Sequence, residues 1–340
     1  MLNSSKTTVA IVGASGYTGL ELVKILLAHP LFEITYIANS EGGVTIDELH
    51  PSLHSVCNMQ VHKANPSDIA KVAQLCFLAL PHKTSMAFAK DLIALGVKVV
   101  DLSADYRLDL ETYEKHYCNH EDQVNLPNAV YGLPEFYAEQ IKGASLVANP
   151  GCYPTASLLA LLPFAQYIDD QSHVFIDAKS GVSGAGKKLS DTTHFVTIND
   201  NIFAYNPLKH RHAPEICEKV SKLFNKNLQI NFIPHLIPVT RGMLVSVYVV
   251  LNQKIDAKQH LQEYYKSSEF VRIKNTPVDV KSTAGTNFCD IFVDQNENAL
   301  FINASIDNLL RGASSQAVVN ANIMVGYEAD LGINKFAYVP

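Results

Sequence analysis

The stretch "VAIVGASGYTGLELVKILLAH", Val9 to His29, constrains the fold more than any other part of the chain. A run of β-forming residues leads into a glycine turn, and the turn opens directly into a helical pattern. Gly13, Gly16 and Gly19 follow the spacing G-x-x-G-x-x-G. Glycines at these positions let the turn close and let backbone N–H groups approach a pyrophosphate at the helix N-terminus, where the dipole favours an anion. The spacing therefore predicts a dinucleotide-binding strand-turn-helix unit. Strand-like "FEITYIAN", "QLCFLAL" and "VKVVDLS" alternate with helical "SMAFAKDLIALG" through the first half of the chain. Continuous apolar strands joined by helices imply a doubly wound, mainly parallel α/β sheet.

The texture changes after the polar stretch Asp109 to Asn128. From "HVFIDAKSG" through "LQINFIPHLIPV", "GMLVSVYVVL", "CDIFVD" and "NALFINASID" the strand-like runs are longer and fewer helices separate them. This predicts a second, largely antiparallel α+β domain, and 340 residues suffice for two ordinary domains. A last helix is expected in "GASSQAVVNANIMVGYEA", with Ala317, Val318, Ala321, Met324 and Val325 at helical spacing. A net charge of −6 argues against nucleic-acid binding driven by overall positive charge. No run approaches the roughly 18 apolar residues of a membrane span, and the start lacks the pattern of a signal peptide. The expectation is a soluble, cytoplasmic protein with no nucleic-acid or membrane partner. Six cysteines (Cys57, Cys76, Cys118, Cys152, Cys217, Cys289) carry no C-x-x-C pair, which suits neither a disulfide framework nor a zinc knuckle.

"NPGCYPT" places Cys152 between a Pro-Gly turn and Pro154, just ahead of the apolar run "ASLLALLPF". Proline is tolerated in a first helical turn, so the thiol is expected at a helix mouth, where N–H groups and the dipole favour thiolate. The plainer alternative is a small buried apolar residue. At the end of the second strand Asn39 and Ser40 offer donors where an NAD site usually has an acidic group, which favours NADP, with Glu41 arguing the other way. His82, after the third strand, either touches the cofactor or caps the following helix, and the cap is the preferred reading. Arg107 in "DLSADYRL" suits a planar anion, or else an ion pair with Asp105 or Asp109. In "KSGVSGAGKK", Ser183, Gly184, Ala185 and Gly186 would let backbone lie close to a flat ring, the alternative being a long surface hairpin. His210 and His212 precede a helix start at Pro214 and Glu215. No third or fourth metal ligand completes them at a familiar spacing, so an acid/base partner for Cys152 is the better reading, and spacing does not choose between the two. Arg241 is a second candidate anion clamp. A dinucleotide site, a thiol, a histidine and arginines together suit reduction of an activated carboxyl group through a thioester.

"GASGYTG", "DLSADYRL", "YGLPE", "NPGCYPT", "SGVSGAGKK", "KHRHAPEI", "PHLIPVTRGM" and "DNLLRGASSQAVVNAN" stand in the order they take in the N-acetyl-gamma-glutamyl-phosphate reductase family of arginine biosynthesis, which the chain resembles over nearly its whole length. The resemblance implies a Rossmann-like doubly wound NADP-binding domain (1–151), an α+β catalytic and dimerisation domain (152–310), and a C-terminal segment (311–340) whose helix returns to the first domain. The fold would be similar to aspartate-semialdehyde and glyceraldehyde-3-phosphate dehydrogenases. It implies NADPH-dependent reduction of N-acetyl-L-glutamyl 5-phosphate to the 5-semialdehyde with release of phosphate, and no metal. On matching positions, Cys152 would be the nucleophile, His210 or His212 the acid/base, and Glu215 the group orienting a histidine. Arg107 would lie near the substrate's phosphate or carboxylate, with Arg241 as the second clamp. Gly13, Ser15, Gly16, Tyr17, Thr18 and Gly19 would cradle the NADP phosphates, with Ser40 beside them; Ser183 and Gly184 would lie near the nicotinamide, and Asn308 and Gln316 in the C-terminal cofactor-side motif. "ANSEGG" departs from the more basic segment expected beside a 2′-phosphate. A homodimer or homotetramer through the second domain is implied as well. Two other readings are the homologous acyl phosphate of lysine biosynthesis, one methylene longer, and a non-catalytic NADP-binding protein.

Overall fold

A computed structural model describes residues 6–338. Its contacts form two compact units: the chain through Pro150 with Ala313–Ile333, and Gly151–Gly312 with the chain from Asn334 onward. The outermost residues assigned above to the first domain and the C-terminal segment, 1–5 and 339–340, lie outside the described residues. The strands of the first unit are β1 (Thr7–Val12), β2 (Phe32–Asn39), β3 (Val44–Thr45), β4 (Gln60–Lys63), β5 (Leu75–Leu78), β6 (Lys98–Asp101), β7 (Val130–Tyr131) and β8 (Leu146–Ala148). They form one sheet in the order β3-β4-β2-β1-β5-β6-β8-β7, parallel throughout except for β3 against β4. Val9–Val12 and Leu75–Leu78 are wholly buried, as expected of parallel strands covered on both faces.

Helices α1 (Tyr17–Ala28), α2 (Ile46–Leu49), α3 (Pro66–Val72), α4 (Thr84–Ala94), α5 (Leu110–His116) and α6 (Pro134–Ile141) lie between these strands. From β1 the chain moves to β2 and β4 on one side and then crosses to β5 and β6 on the other. The reversal falls between β1 and β5, whose ends Val12 and Leu78 are paired. In open α/β sheets that is where the strand ends leave a ligand crevice.

The second unit contains α7 (Cys152–Leu161), β9 (His173–Gly181), α8 (Phe195–Ile198), β10 (Phe203–Ala204), α9 (His212–Phe224), β11 (Gln229–Ile237), β12 (Met243–Val250), α10 (Ala257–Tyr264), β13 (Val271–Ile273), β14 (Cys289–Asn296) and β15 (Ala299–Ile306). Its seven-stranded sheet runs β10-β11-β9-β12-β15-β14-β13. Most pairs are antiparallel, but β9 with β11 and β13 with β14 are parallel. Residues Tyr153–Leu161 of α7 are all buried, and the helix packs on α9, β12 and β15. The alternation along β9 and β12 leaves Phe175, Tyr248 and Val250 exposed on the other face.

Helix α11 (Ser314–Val325) belongs to the first unit, where it packs on α1, α6 and β6. Its spacing suggests an apolar stripe, yet Ser314–Asn322 are buried all round. Polar members of the helix find partners instead of water: Gln316 Nε2 and Asn320 Nδ2 donate to the Gly132 carbonyl at 2.8 and 2.9 Å. A Cβ at Gly132 would lie 2.3 Å from Asn320 Nδ2, so only glycine admits this approach. The segment after Ile333 does not stay with the helix, contrary to the 311–340 assignment. Asn334 Nδ2 donates to the Gly285 carbonyl, Lys335 pairs with Glu269, and the Tyr338 ring lies over Gly285, all within the second unit.

Candidate active site

The glycine turn is built from three different constraints. Gly13 has φ +95°, and a Cβ there would sit 2.2 Å from the Ala79 carbonyl oxygen at the neighbouring strand end. A Cβ on Gly19 would meet Gly13 O at 2.4 Å and Ala14 Cα at 2.7 Å, so the third glycine permits close helix-to-turn packing. At Gly16, the N-cap of α1, a Cβ would meet only Gly13 O at 3.8 Å, and no side chain caps the helix. The first and third glycines are required by the protein's own packing; the middle one leaves a bare helix N-terminus, which fits a phosphate. Two neighbours the sequence does not reveal steady the turn: His50 Nε2 donates to the Ala14 carbonyl at 2.7 Å, and Asn39 Nδ2 donates to Ser15 Oγ at 3.0 Å. Tyr17 and Thr18 open α1, and Thr18 O accepts from Ser314 Oγ of α11.

Ser40 is exposed beyond β2. Basic residues lie on the strand adjacent to "ANSEGG": register pairs Ala38 with His62 and Asn39 with Lys63. His62 stacks on Tyr36 at 4.7 Å between ring centres, and Lys63 is exposed. Pairing across strands of different sequence position gives no signal in a linear reading.

Beyond β5, the α4 N-cap is Lys83, held at φ +73° with no side-chain cap of its own, so His82 is not the cap. The acceptor comes from "DLSADYRL": the Asp105 carboxylate receives the N–H groups of Lys83 and Met86 at 2.9 Å and the Tyr113 hydroxyl at 2.7 Å. Asp109 caps α5. Arg107 is buried, with Nε donating to the Asn149 carbonyl and Nη2 to the Leu102 carbonyl, both at 2.7 Å. Asn149 is in turn tied to α11 through Ala313 O and Asn320 Nδ2.

In the second unit Cys152 is the first residue of α7, half-buried, with Gly151 as an N-cap that supplies no side chain. Gly312 lies against it: a Cβ there would be 2.6 Å from Cys152 Cβ. Glu215, at 1% exposure, accepts from the Gly151 N–H at 3.1 Å, a contact with the cysteine's own helix cap that the motif does not announce. The Tyr153 ring is touched edge-on by both His210 and His212, at 5.6 and 5.8 Å between ring centres. Tyr205 donates its hydroxyl to that of Tyr153 at 2.9 Å. Burial pushes the Tyr205 phenol up to about 12. Burial and Arg211 push His210 down to about 4.

Arg241, in the turn between β11 and β12, pairs with the buried Asp307 carboxylate, Nε and Nη2 each at 3.1 Å. Asn308 links two loops, donating to Ser183 Oγ at 2.9 Å and accepting the Gly242 N–H at 2.7 Å. A Cβ at Gly184 would lie 2.7 Å from Ser180 Oγ. Asn308 thus sits with Ser183 and Gly184 in the second unit, while Gln316 sits at Gly132 in the first. Among the described residues no three His, Cys, Asp or Glu side chains gather as a metal site, and no helix is long and apolar enough to cross a membrane.

A bare, glycine-built helix N-terminus at the switch point of a parallel sheet, in a chain whose second unit sets a cysteine at another helix mouth, defines the class: a nucleotide-dependent α/β oxidoreductase. Residues 8–144 match the semialdehyde dehydrogenase NAD binding domain and residues 152–308 the semialdehyde dehydrogenase dimerisation domain. The N-acetyl-gamma-glutamyl-phosphate reductase of a Sulfurovum species is 60% identical, covering 98% of this chain and 99% of that one. The enzyme of the same name from Sulfurimonas denitrificans is 56% identical over 99% of this chain and its own full length. Aspartate semialdehyde dehydrogenase II of Vibrio cholerae shares the fold, with a TM-score of 0.72 at 19% identity, 94% of this chain and 98% of that one being covered. The chain belongs to the semialdehyde dehydrogenase family, and within it to the N-acetyl-gamma-glutamyl-phosphate reductases.

Proposed function

We propose that the chain reduces N-acetyl-L-glutamyl 5-phosphate to N-acetyl-L-glutamate 5-semialdehyde, releasing phosphate, as its relatives' name describes. The observation that carries the reading is Cys152 as first residue of α7, behind a cap with no side chain. The positive end of the helix dipole stabilises thiolate there. The thiolate attacks the acyl carbon, a C–S bond forms, the C–O bond to phosphate breaks, and phosphate leaves with the electron pair. NADPH held by the Gly13–Gly19 turn, with its nicotinamide beside Ser183 and Gly184, would supply the hydride that takes the thioester to the aldehyde level. A histidine beside Tyr153 gives a proton to the oxygen of the resulting hemithioacetal and takes it back as the carbonyl re-forms, the C–S bond breaks and Cys152 leaves as thiolate. Arg241 and Arg107 are the guanidinium groups proposed for the substrate's anionic groups, and Ser183 and Gly184 for the nicotinamide side.

Gly13, Ser15, Gly16, Tyr17, Thr18 and Gly19 would hold the cofactor's diphosphate, which the bare N-cap at Gly16 accommodates. Lys63, registered beside Asn39, would supply positive charge to a 2′-phosphate and supports NADP over NAD. The exposed Phe175, Tyr248 and Val250 on the outer face of the second sheet lie in the part matched to a dimerisation domain, which supports a homodimer through that face. A cytoplasmic location accords with a biosynthetic reductase of this kind.

The test runs the reaction in reverse, following NADPH formation from N-acetylglutamate semialdehyde and NADP with and without phosphate. Phosphate-dependent turnover that Cys152→Ala abolishes, with NADP affinity kept within about threefold, is the expected result. Turnover that survives in Cys152→Ala, or a folded, NADP-binding wild type that is inactive, overturns the reading.

A further inference from the structure

His210 and His212 stand two residues apart and touch the same tyrosine, yet their surroundings differ in kind. The backbone N–H of His212 donates to His210 Nδ1 at 3.1 Å. A ring nitrogen that accepts carries no proton, so neutral His210 must hold its hydrogen on Nε2. Four rings enclose it: His212 at 4.8 Å, Phe232 of β11 at 5.4 Å, and Tyr153 of α7 and Tyr205 each at 5.6 Å. Protonating Nδ1 would set two donors against each other inside that aromatic cage. The charged and titratable groups around it are Arg211 and His212 on its own segment, Tyr205 in the preceding loop and Tyr153 on α7.

We propose that His210 serves the reaction as a neutral Nε2–H hydrogen-bond donor to oxygen of the substrate, and that His212 alone is the proton-transferring acid and base. This rests on the reading that the chain is a thioester-forming reductase. The burial that pushes His210 down to about 4 points the same way, since such a group stays neutral through the working pH range. A fixed donor aimed at oxygen suits the charge that develops on the carbonyl as the thiolate adds, or on the phosphate as it leaves. The division follows from one backbone bond: the turn that starts α9 at His212 presents its own first N–H to the ring of His210.

Glutamine at 210 can keep a donor near the Nε2 position, whereas at 212 it cannot carry a proton to and fro. His210→Gln should retain activity within about tenfold of wild type, and His212→Gln should lose about 100-fold to 10,000-fold with its pH–rate limb flattened. Long-range proton–nitrogen correlation spectra of histidine-labelled protein, without substrate, supply the second readout. The ring signal that vanishes in His210→Gln should show an unprotonated Nδ1, a protonated Nε2 and no titration between about pH 5.5 and 8. A His210 ring that titrates in this range or carries its proton on Nδ1 overturns the proposal. So does a folded His210→Gln that loses as much activity as His212→Gln. An inactive wild type with the expected ring spectrum would instead sink the reductase reading, so the two failures are told apart.

Discussion

Gly312 bears on the nucleophile although it has no side chain to offer. A Cβ there would lie 2.6 Å from Cys152 Cβ and 2.5 Å from the Asn308 carbonyl oxygen, and only the first of these atoms belongs to a side chain. Relief requires moving backbone, so Gly312→Ala should cost about 1–3 kcal/mol, the usual range for overpacking, and slow alkylation of Cys152 by iodoacetamide. Urea unfolding read beside the alkylation rate checks it; an unchanged midpoint with full reactivity would show that the loop at Gly312 gives way freely. The residue scale is also where the sequence spoke most clearly. The turn and proline around Cys152 announce a helix mouth because both residues have fixed backbone consequences. Glu215 was legible as a residue of interest but not in its contact, since nothing along the chain says that its carboxylate reaches Gly151. Nor does spacing separate two histidines whose difference is a backbone hydrogen bond.

Elements supply what residues alone do not. Helix α4 begins without a capping side chain of its own, and its N–H groups at Lys83 and Met86 end on Asp105 from the segment after β6. Asp105→Ala should therefore destabilise the first unit by about 2 kcal/mol, at the upper end of a lost N-cap, because the Tyr113 hydroxyl loses its acceptor as well. Denaturant midpoints test this, and a loss no larger than that of Asp109→Ala, which removes an exposed cap from α5, would refute the added role. The strand pair β2–β4 carries a second consequence. Register sets Lys63 beside Asn39, so Lys63→Ala should weaken NADP about tenfold, as for one lost charge-assisted hydrogen bond, and leave NAD unchanged. Titration calorimetry with both nucleotides would measure it; equal losses would assign Lys63 to strand stability. The doubly wound sheet was legible because strands such as β1 and β5 are continuous apolar runs, whereas β4, Gln-Val-His-Lys with only Val61 buried, gives little strand signal of its own and its pairing with β2 is not written along the chain. The same holds for α11, whose buried amides make sense only once Gly132 lies beneath them.

At the scale of the molecule, the two units should respond differently to acid. In the first, burial lowers the pKa of His29, whose Nδ1 accepts the N–H groups of Leu31 and Phe32 while Nε2 donates to Leu331 O. Below about pH 6.5 the unfolded chain takes up that proton and the folded one does not, so stability falls as pH falls until the folded value is reached. Asp101 works in the opposite sense. Burial, with Asp105 nearby, raises it to about 6, so between its ordinary value and that point the folded unit holds a proton the unfolded chain has lost, and acid is stabilising. The two slopes are opposite in sign. In the second unit His210, lowered to about 4, has a slope of the same sign as His29. Asp279, lowered mainly by the Ser282 backbone bond, adds to the loss as pH falls further. Amide exchange followed from pH 7 to about 4.5 should therefore show protection falling sooner in β9, β11 and β12 than in β1 and β5. Asp101→Asn removes the opposing slope, and the first unit should then lose protection on acidification as the second does. If it stays level, His29 is not what the sheet loses to acid, and the tail held at Leu331 is not the place where protonation enters the first unit.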